Sequence, residues 1–134
     1  KFKQTIKFSR FISFFYATIA ACILVISSSY IFAYFEIDNV NYKIVYYVLI
    51  AGWFINGVFG TAYAYLLMTG NQKEIIFLSC LGIATNLGIS IGFFGSIGIS
   101  AVALGTSMSL FVQNLGAFYV VEKSLREMQL YWQK

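Results

Sequence analysis

The chain has 134 residues and is 60% hydrophobic and 19% aromatic, with 10% charged, where a soluble domain carries roughly 25% charged residues. That shortage of polar surface excludes a water-soluble globule and predicts an integral membrane protein, one membrane domain over its whole length. The net charge of +4 lies mostly in segments that flank apolar stretches; it acts there as an orientation signal and attracts anionic lipid, and no folded basic face exists to bind nucleic acid.

Residues 1–10 form an amphipathic lead-in, with Lys3, Lys7 and Arg10 at helical spacing. A bilayer core takes roughly 20 apolar residues per helix. Span one is expected at about residues 11–34, followed by an outer loop over residues 35–43 with Glu36, Asp38, Asn39 and Asn41. Span two is expected at about residues 44–68. The turn over residues 69–74 has Gly70 and Asn71, which suit the left-handed residue that ends many helices. Span three is expected at about residues 75–94, a tight hairpin at residues 95–98, and span four at about residues 99–121. Residues 122–134 make an amphipathic helical tail, with Leu125, Met128, Tyr131 and Trp132 on one side. Tyr30, Tyr34, Tyr42, Tyr46 and Tyr47 form an aromatic belt at the outer interface.

The charges choose between span counts. Four spans place Lys1, Lys3, Lys7, Arg10, Lys73, Lys123, Arg126 and Lys134 on one side and leave only Lys43 on the other. Three spans would nearly abolish that bias. Basic residues near span ends stay in the cytoplasm, so both termini are expected there, in the cell membrane.

The chemistry of the spans is sparse. Histidine and proline are absent, and the thiols are Cys22 and Cys80, both inside spans as apolar filler. Neither a metal site nor a His-based general base is available. No ionisable acid or base falls within a span, so a proton-coupled pump or an intramembrane enzyme lacks the groups it needs. The serines have no base to activate them. No enzyme activity and no cofactor are expected. Span one is too long, and its flanks are wrong, for a signal peptide. The chain lacks an initiator Met, which gives the expectation of a piece of a longer protein or a processed chain.

Each span carries small or polar residues at four-residue spacing. Span one has Ser9, Ser13, Ala17 and Ala21. Span two has Gly52, Asn56, Gly60 and Ala64; span three has Ala84, Gly88 and Gly92; span four has Ala101, Gly105, Ser109 and Gln113. Lipid tails are as apolar as Leu, so helices pair through close backbone approach at small residues. Gly52, Gly60, Gly88, Gly92, Ala101 and Gly105 are therefore the expected packing positions. The same rows would also suit a sliding interface in a transporter. Asn56, Asn86, Gln113 and Asn114 lie within spans as interhelical hydrogen-bonding groups or, alternatively, as substrate contacts.

Several stretches resemble a known family. Residues 65–73 contain Leu66, Leu67, Gly70 and Lys73 in an "LLxxGxxK" pattern. Asn86 and Leu87 follow in span three, residues 98–109 resemble "GIxGAAxATxxS", and Asn114 comes after. From about residue 45 to 125 the chain resembles the C-terminal half of polysaccharide flippases, exporters of lipid-linked oligosaccharide. Their superfamily also holds the multidrug and toxic-compound extrusion pumps. Ser90 stands where the family has a second asparagine, Ala101 where it has glycine, and no proline precedes the hairpin. The resemblance implies an all-α membrane protein forming part of the C-terminal lobe of a larger exporter. It implies alternating access, a lipid-linked glycan as substrate, and the remaining helices of the transporter as partners. In that family, cavity cations bind the substrate's pyrophosphate; these spans have none, so such charges are expected elsewhere. The alternative is a self-contained four-span protein acting as an oligomeric scaffold, accessory subunit or small transporter.

Overall fold

The structure is a computed structural model that describes the backbone of residues 2–131 and the side chains of residues 8–126. Four helices follow one another: α1 (Phe2–Tyr34), α2 (Val40–Met68), α3 (Gln72–Ile97) and α4 (Ile99–Tyr131). All four are long and apolar enough to cross a membrane, and no strand occurs among the described residues. The chain is thus an all-α, multi-pass membrane protein. In lipid every backbone group must be satisfied internally, and uninterrupted helices do this.

The helix ends have local causes. At the end of α1, Ile37 N–H donates to Phe32 O at 2.9 Å and Glu36 N–H to Ala33 O at 3.3 Å. This is a Schellman closure, with Glu36 at φ 53° in the left-handed position. Asn39 then caps α2, its side chain accepting from Asn41 N–H at 2.8 Å. At the other end of α2 the closure recurs: Asn71 N–H donates to Leu66 O at 3.2 Å and Gly70 N–H to Leu67 O at 3.4 Å. Gly70 takes the left-handed conformation at φ 74°, at the position the sequence marks for it.

Two expected boundaries differ. The hairpin at residues 95–98 shrinks to one residue: α3 runs on to Ile97, and Gly98 alone turns the chain at φ 58° and ψ −134°. Only a residue without Cβ adopts that conformation readily, so one glycine does the work expected of four residues. The tail is also not a separate element. Helix α4 passes through Glu122 without a break and is helical as far as Tyr131, the last described residue. Leu125 is buried, while the side chains of Met128, Tyr131 and Trp132 lie outside the described residues.

The helices pack in the order α1–α2–α4–α3. Helix α4 packs along both α2 and α3, α1 packs on α2, and α2 meets α3 only slightly. The described apolar core sits at the end of the layer nearest the termini. Ala62 and Leu66 of α2, Ile75 and Leu78 of α3, and Ala117, Val121 and Leu125 of α4 form it. Most other large apolar side chains, such as Ile26, Ile91 and Tyr119, are exposed and face the lipid that the span lengths require. Arg10, Lys73, Lys123 and Arg126 fall at this terminal end, and Lys43 falls at the opposite, loop end.

Candidate functional site: polar seams along the fourth helix

Helix α4 presents one polar seam to α2 and another to α3. Toward α2, Ser107 Oγ donates to Val48 O at 2.8 Å. That bond is possible because Gly52 leaves room: a Cβ there would fall 2.5 Å from Ser107 Oγ and 2.9 Å from Ser107 Cα. About two turns further on, Asn114 Nδ2 donates to Asn56 Oδ1 at 3.1 Å and to Leu110 O at 2.8 Å. Asn114 is 3% exposed, so its amide is enclosed and bonded. Below it, the Phe59 and Phe118 rings meet edge to face at 5.9 Å.

Toward α3, Gly105 lies against the Asn86 carbonyl. A Cβ on Gly105 would sit 2.8 Å from Asn86 O and 2.6 Å from Ser90 Oγ. Ser90 Oγ donates to Asn86 Oδ1 at 2.9 Å, and Asn86 Nδ2 lies 3.5 Å from Thr106 Oγ1. Gln113 rests on Gly82, where a Cβ would collide with its amide, and Gln113 Nε2 donates to Ser109 Oγ at 3.3 Å. Gly116 makes room for Leu78 in the same way. Ala101 and Ser109 are buried along this line.

The four polar candidates therefore divide into two sets. Asn56 and Asn114 bond to each other across α2 and α4. Asn86 and Gln113 lie on the other side of α4, in the α3 seam. They do not converge on one cavity. Two apolar grooves are present. One, of about 420 Å³, lies between α1 and α2 over Ala17, Ala20, Ala21 and Gly57, flanked by Tyr16 and Trp53. The other, of about 340 Å³, lies between α2 and α4, and Gly52 and Ser107 line it. None of the four amides lines either groove.

The packing row expected on α3 is corrected. A Cβ on Gly88 or Gly92 would meet nothing within 4 Å, and neither would one on Gly60. The α3 residues that face α4 are Gly82, Asn86 and Ser90. They carry the same four-residue spacing as Ala84, Gly88 and Gly92 but are displaced by two residues, about 200° around the helix. Gly60 fails for a related reason. Each four-residue step turns a helix by about 400°, so a row drifts sideways by about 40° per step. Gly52 and Asn56 still face α4, and Gly60 has turned away.

Two clusters join residues that the sequence marks only separately, Arg10 as a charge at a span end and Tyr46 and Tyr47 as members of an aromatic belt. At the terminal end, Arg10 Nη1 and Glu122 Oε1 form an ion pair at 3.0 Å. The Arg10 guanidinium also lies 4.6 Å from the centre of the Phe118 ring. Both residues flank the expected limits of spans one and four by one position, so neither counts as an intramembrane polar group in the sequence. At the loop end, Tyr46 donates to Leu24 O at 2.9 Å and Tyr47 shares a hydrogen bond of 3.1 Å with Ser28. The Phe32 ring lies edge to face with Tyr46 at 5.1 Å and Tyr47 at 6.1 Å, with the Lys43 ammonium 5.7 Å from its centre. Cys22 and Cys80 are unpaired and exposed. No group of three metal-ligating side chains occurs among the described residues.

No protein family, no curated protein and no solved structure matches the chain.

Proposed function

We propose that these four helices form part of the C-terminal lobe of a polysaccharide flippase-like exporter. The whole transporter would move a lipid-linked oligosaccharide across the cell membrane by alternating access, with both ends of this chain in the cytoplasm. The observation that carries the reading is the seam between α3 and α4. Asn86 and the stretch of mostly small residues at 98–109 resemble separate parts of the family pattern, and Gly105 and Asn86 lie in direct contact. The eight-to-one division of basic residues supports the orientation independently.

The role within the lobe is structural. The amides of Asn56 and Asn114 are engaged with each other, and the α3 seam is similarly closed, so the polar groups of these helices hold the layer together. A diphosphate headgroup in a low-dielectric core needs a cationic partner. Arg10 is committed to Glu122, so the remaining helices of the transporter would supply that partner. The exposed glycines Gly88 and Gly92 favour a helix outside this chain, in the rest of the transporter or, on the second reading, in another copy of a small scaffold protein.

Glycan export in a flippase-null strain is the test. Full-length protein should restore export, and residues 1–134 alone should not. Export restored by residues 1–134 alone would overturn the lobe assignment and favour a self-contained transporter.

A further inference from the structure

Helix α1 is attached to the layer differently from the others. Its backbone packs on α2 and not on α4. The middle of the α1–α2 contact is close, since a Cβ on Gly57 would come within 2.8 Å of Ala17 Cβ. Beyond it, the contact opens into the groove flanked by Tyr16 and Trp53. The loop end of α1 is fixed by the Tyr46 and Tyr47 hydrogen bonds and by the Phe32 ring cluster. Among the described residues, its terminal half meets α2 through the Phe14 and Phe54 rings, edge to face at 6.2 Å, and meets α4 through one side chain, Arg10, which reaches past α2. Among the described residues, every hydrogen bond, ion pair or cation–π contact between α1 and α4 runs through it.

We propose that the Arg10–Glu122 pair, seated on the Phe118 ring, is a releasable latch that holds the terminal half of α1 against the α2–α4–α3 layer. On release, α1 swings outward about the aromatic cluster at its loop end, and the α1–α2 groove opens toward the terminal end.

The geometry suits a tie that lets go. The pair is neither surface-exposed nor sealed, with side-chain exposures of 24% for Arg10 and 35% for Glu122. It is also only half used. Arg10 Nη1 is bonded, while Nη2 is enclosed with no partner among the described residues. A guanidinium is a rigid fork suited to two parallel bonds with a carboxylate, and here it makes one. The Phe118 face adds a cation–π contact that orients the fork without locking it. Phe118 is in turn braced by Phe59 of α2, so the seat is stationary and the moving part is α1. The loop end has neutral hydrogen bonds and ring contacts in several places, which a single lost charge does not release.

The latch does not rest on the transport reading, because its readout is a distance. Spin labels at Phe8→Cys and Lys123→Cys would report the terminal end, and labels at Tyr34→Cys and Ile99→Cys the loop end. Both pairs would be placed in a protein lacking Cys22 and Cys80 and measured in lipid nanodiscs by pulsed electron resonance. Glu122→Gln should lengthen and broaden the terminal-end distance and leave the loop-end distance unchanged. It also strands a half-buried charge, so the Arg10→Gln/Glu122→Gln double variant is measured beside it and should open the same end. The exchanged pair, Arg10→Glu with Glu122→Arg, should return the terminal-end distance toward the wild-type value. An unchanged terminal-end distance in both Gln variants would overturn the latch. So would equal broadening at the two ends, which indicates general loosening, or an exchanged pair that stays as open as the Gln variants.

Discussion

Gly105→Ala adds one methyl group at the tightest backbone contact between α3 and α4. The new Cβ would lie 2.8 Å from the Asn86 carbonyl oxygen and 2.6 Å from Ser90 Oγ, where ordinary contact begins at 3.4 Å. Ser90 could rotate, at the expense of its 2.9 Å bond to Asn86 Oδ1. The carbonyl cannot rotate; it is part of the α3 backbone, so the helix itself must retreat by roughly half an ångström. Forcing extra methylenes into a packed interior costs about 1–3 kcal/mol. Loss of the Ser90–Asn86 bond, which lies within α3, adds up to about 0.6 kcal/mol, the average for an interhelical bond in a membrane. Alanine offsets about 1 kcal/mol through its better helix propensity. The expected net loss is about 1–2 kcal/mol. Unfolding in mixed micelles, followed by helicity against increasing denaturing detergent, would measure it. Gly88→Ala and Gly92→Ala provide the comparison, because both positions face open space. They should match the wild type or exceed it by up to about 1 kcal/mol. If Gly105→Ala is as stable as Gly88→Ala, the α3–α4 register described above is wrong.

Three further outcomes follow from particular contacts. A double-mutant cycle on Asn56→Ala and Asn114→Ala should give a coupling of about 0.6–1.7 kcal/mol in favour of the pair; a coupling of zero would mean the 3.1 Å amide bond contributes nothing. Glu36→Gly should raise stability by about 1 kcal/mol, since a left-handed backbone costs a non-glycine residue about 1–2 kcal/mol, and a melting temperature at or below wild type would show that the Glu36 side chain has its own stabilising role. In a protein without Cys22 and Cys80, Lys43→Cys should react with an impermeant thiol reagent from outside the cell and Lys73→Cys only after the cytoplasm is opened; labelling of both from one side would overturn the four-span topology.

The number and type of elements were legible in the sequence because charge and apolarity alternate on the scale of a bilayer. Arg10, Lys43 and Lys73 mark span ends by their cost inside lipid, and nothing in the fold overrides that cost. Gly70 was legible too, because a left-handed helix end has few acceptable residues. Helix facing was legible only in part. Four-residue spacing of small residues identifies a row but not which row is inward when a helix has two. On α3, Gly82, Asn86 and Ser90 compete with Ala84, Gly88 and Gly92, and the first set faces α4 because α4 offers Gly105 and Gln113 opposite it. That choice depends on the partner helix, so it is absent from α3 read alone. Arg10 and Glu122 escaped for a different reason: their separation in sequence is 112 residues, and a charge at a span end has an adequate local explanation as a lipid-facing anchor.

The layer is mechanically uneven, and the unevenness follows from where the hydrogen bonds lie. Between α2 and α4 there are the Ser107–Val48 and Asn114–Asn56 bonds; between α3 and α4, close approaches at Gly82, Gly105 and Gly116. Tyr63 and Ser79 add a bond of 2.9 Å from α2 to α3 beside the apolar core. Those three helices share polar and close-packed contacts over most of their length, so displacing one against another breaks many contacts at once. Helix α1 has no equivalent seam. Among the described residues, its neutral polar contacts cluster at the loop end, its middle touches at Ala17 and Gly57, and its terminal half has the Phe14–Phe54 ring contact and the Arg10 pair. Lipid offers no solvent to replace a broken interhelical hydrogen bond, so motion in a membrane is expected where few such bonds must break. The contacts therefore divide a three-helix unit expected to be rigid from one helix expected to move at one end.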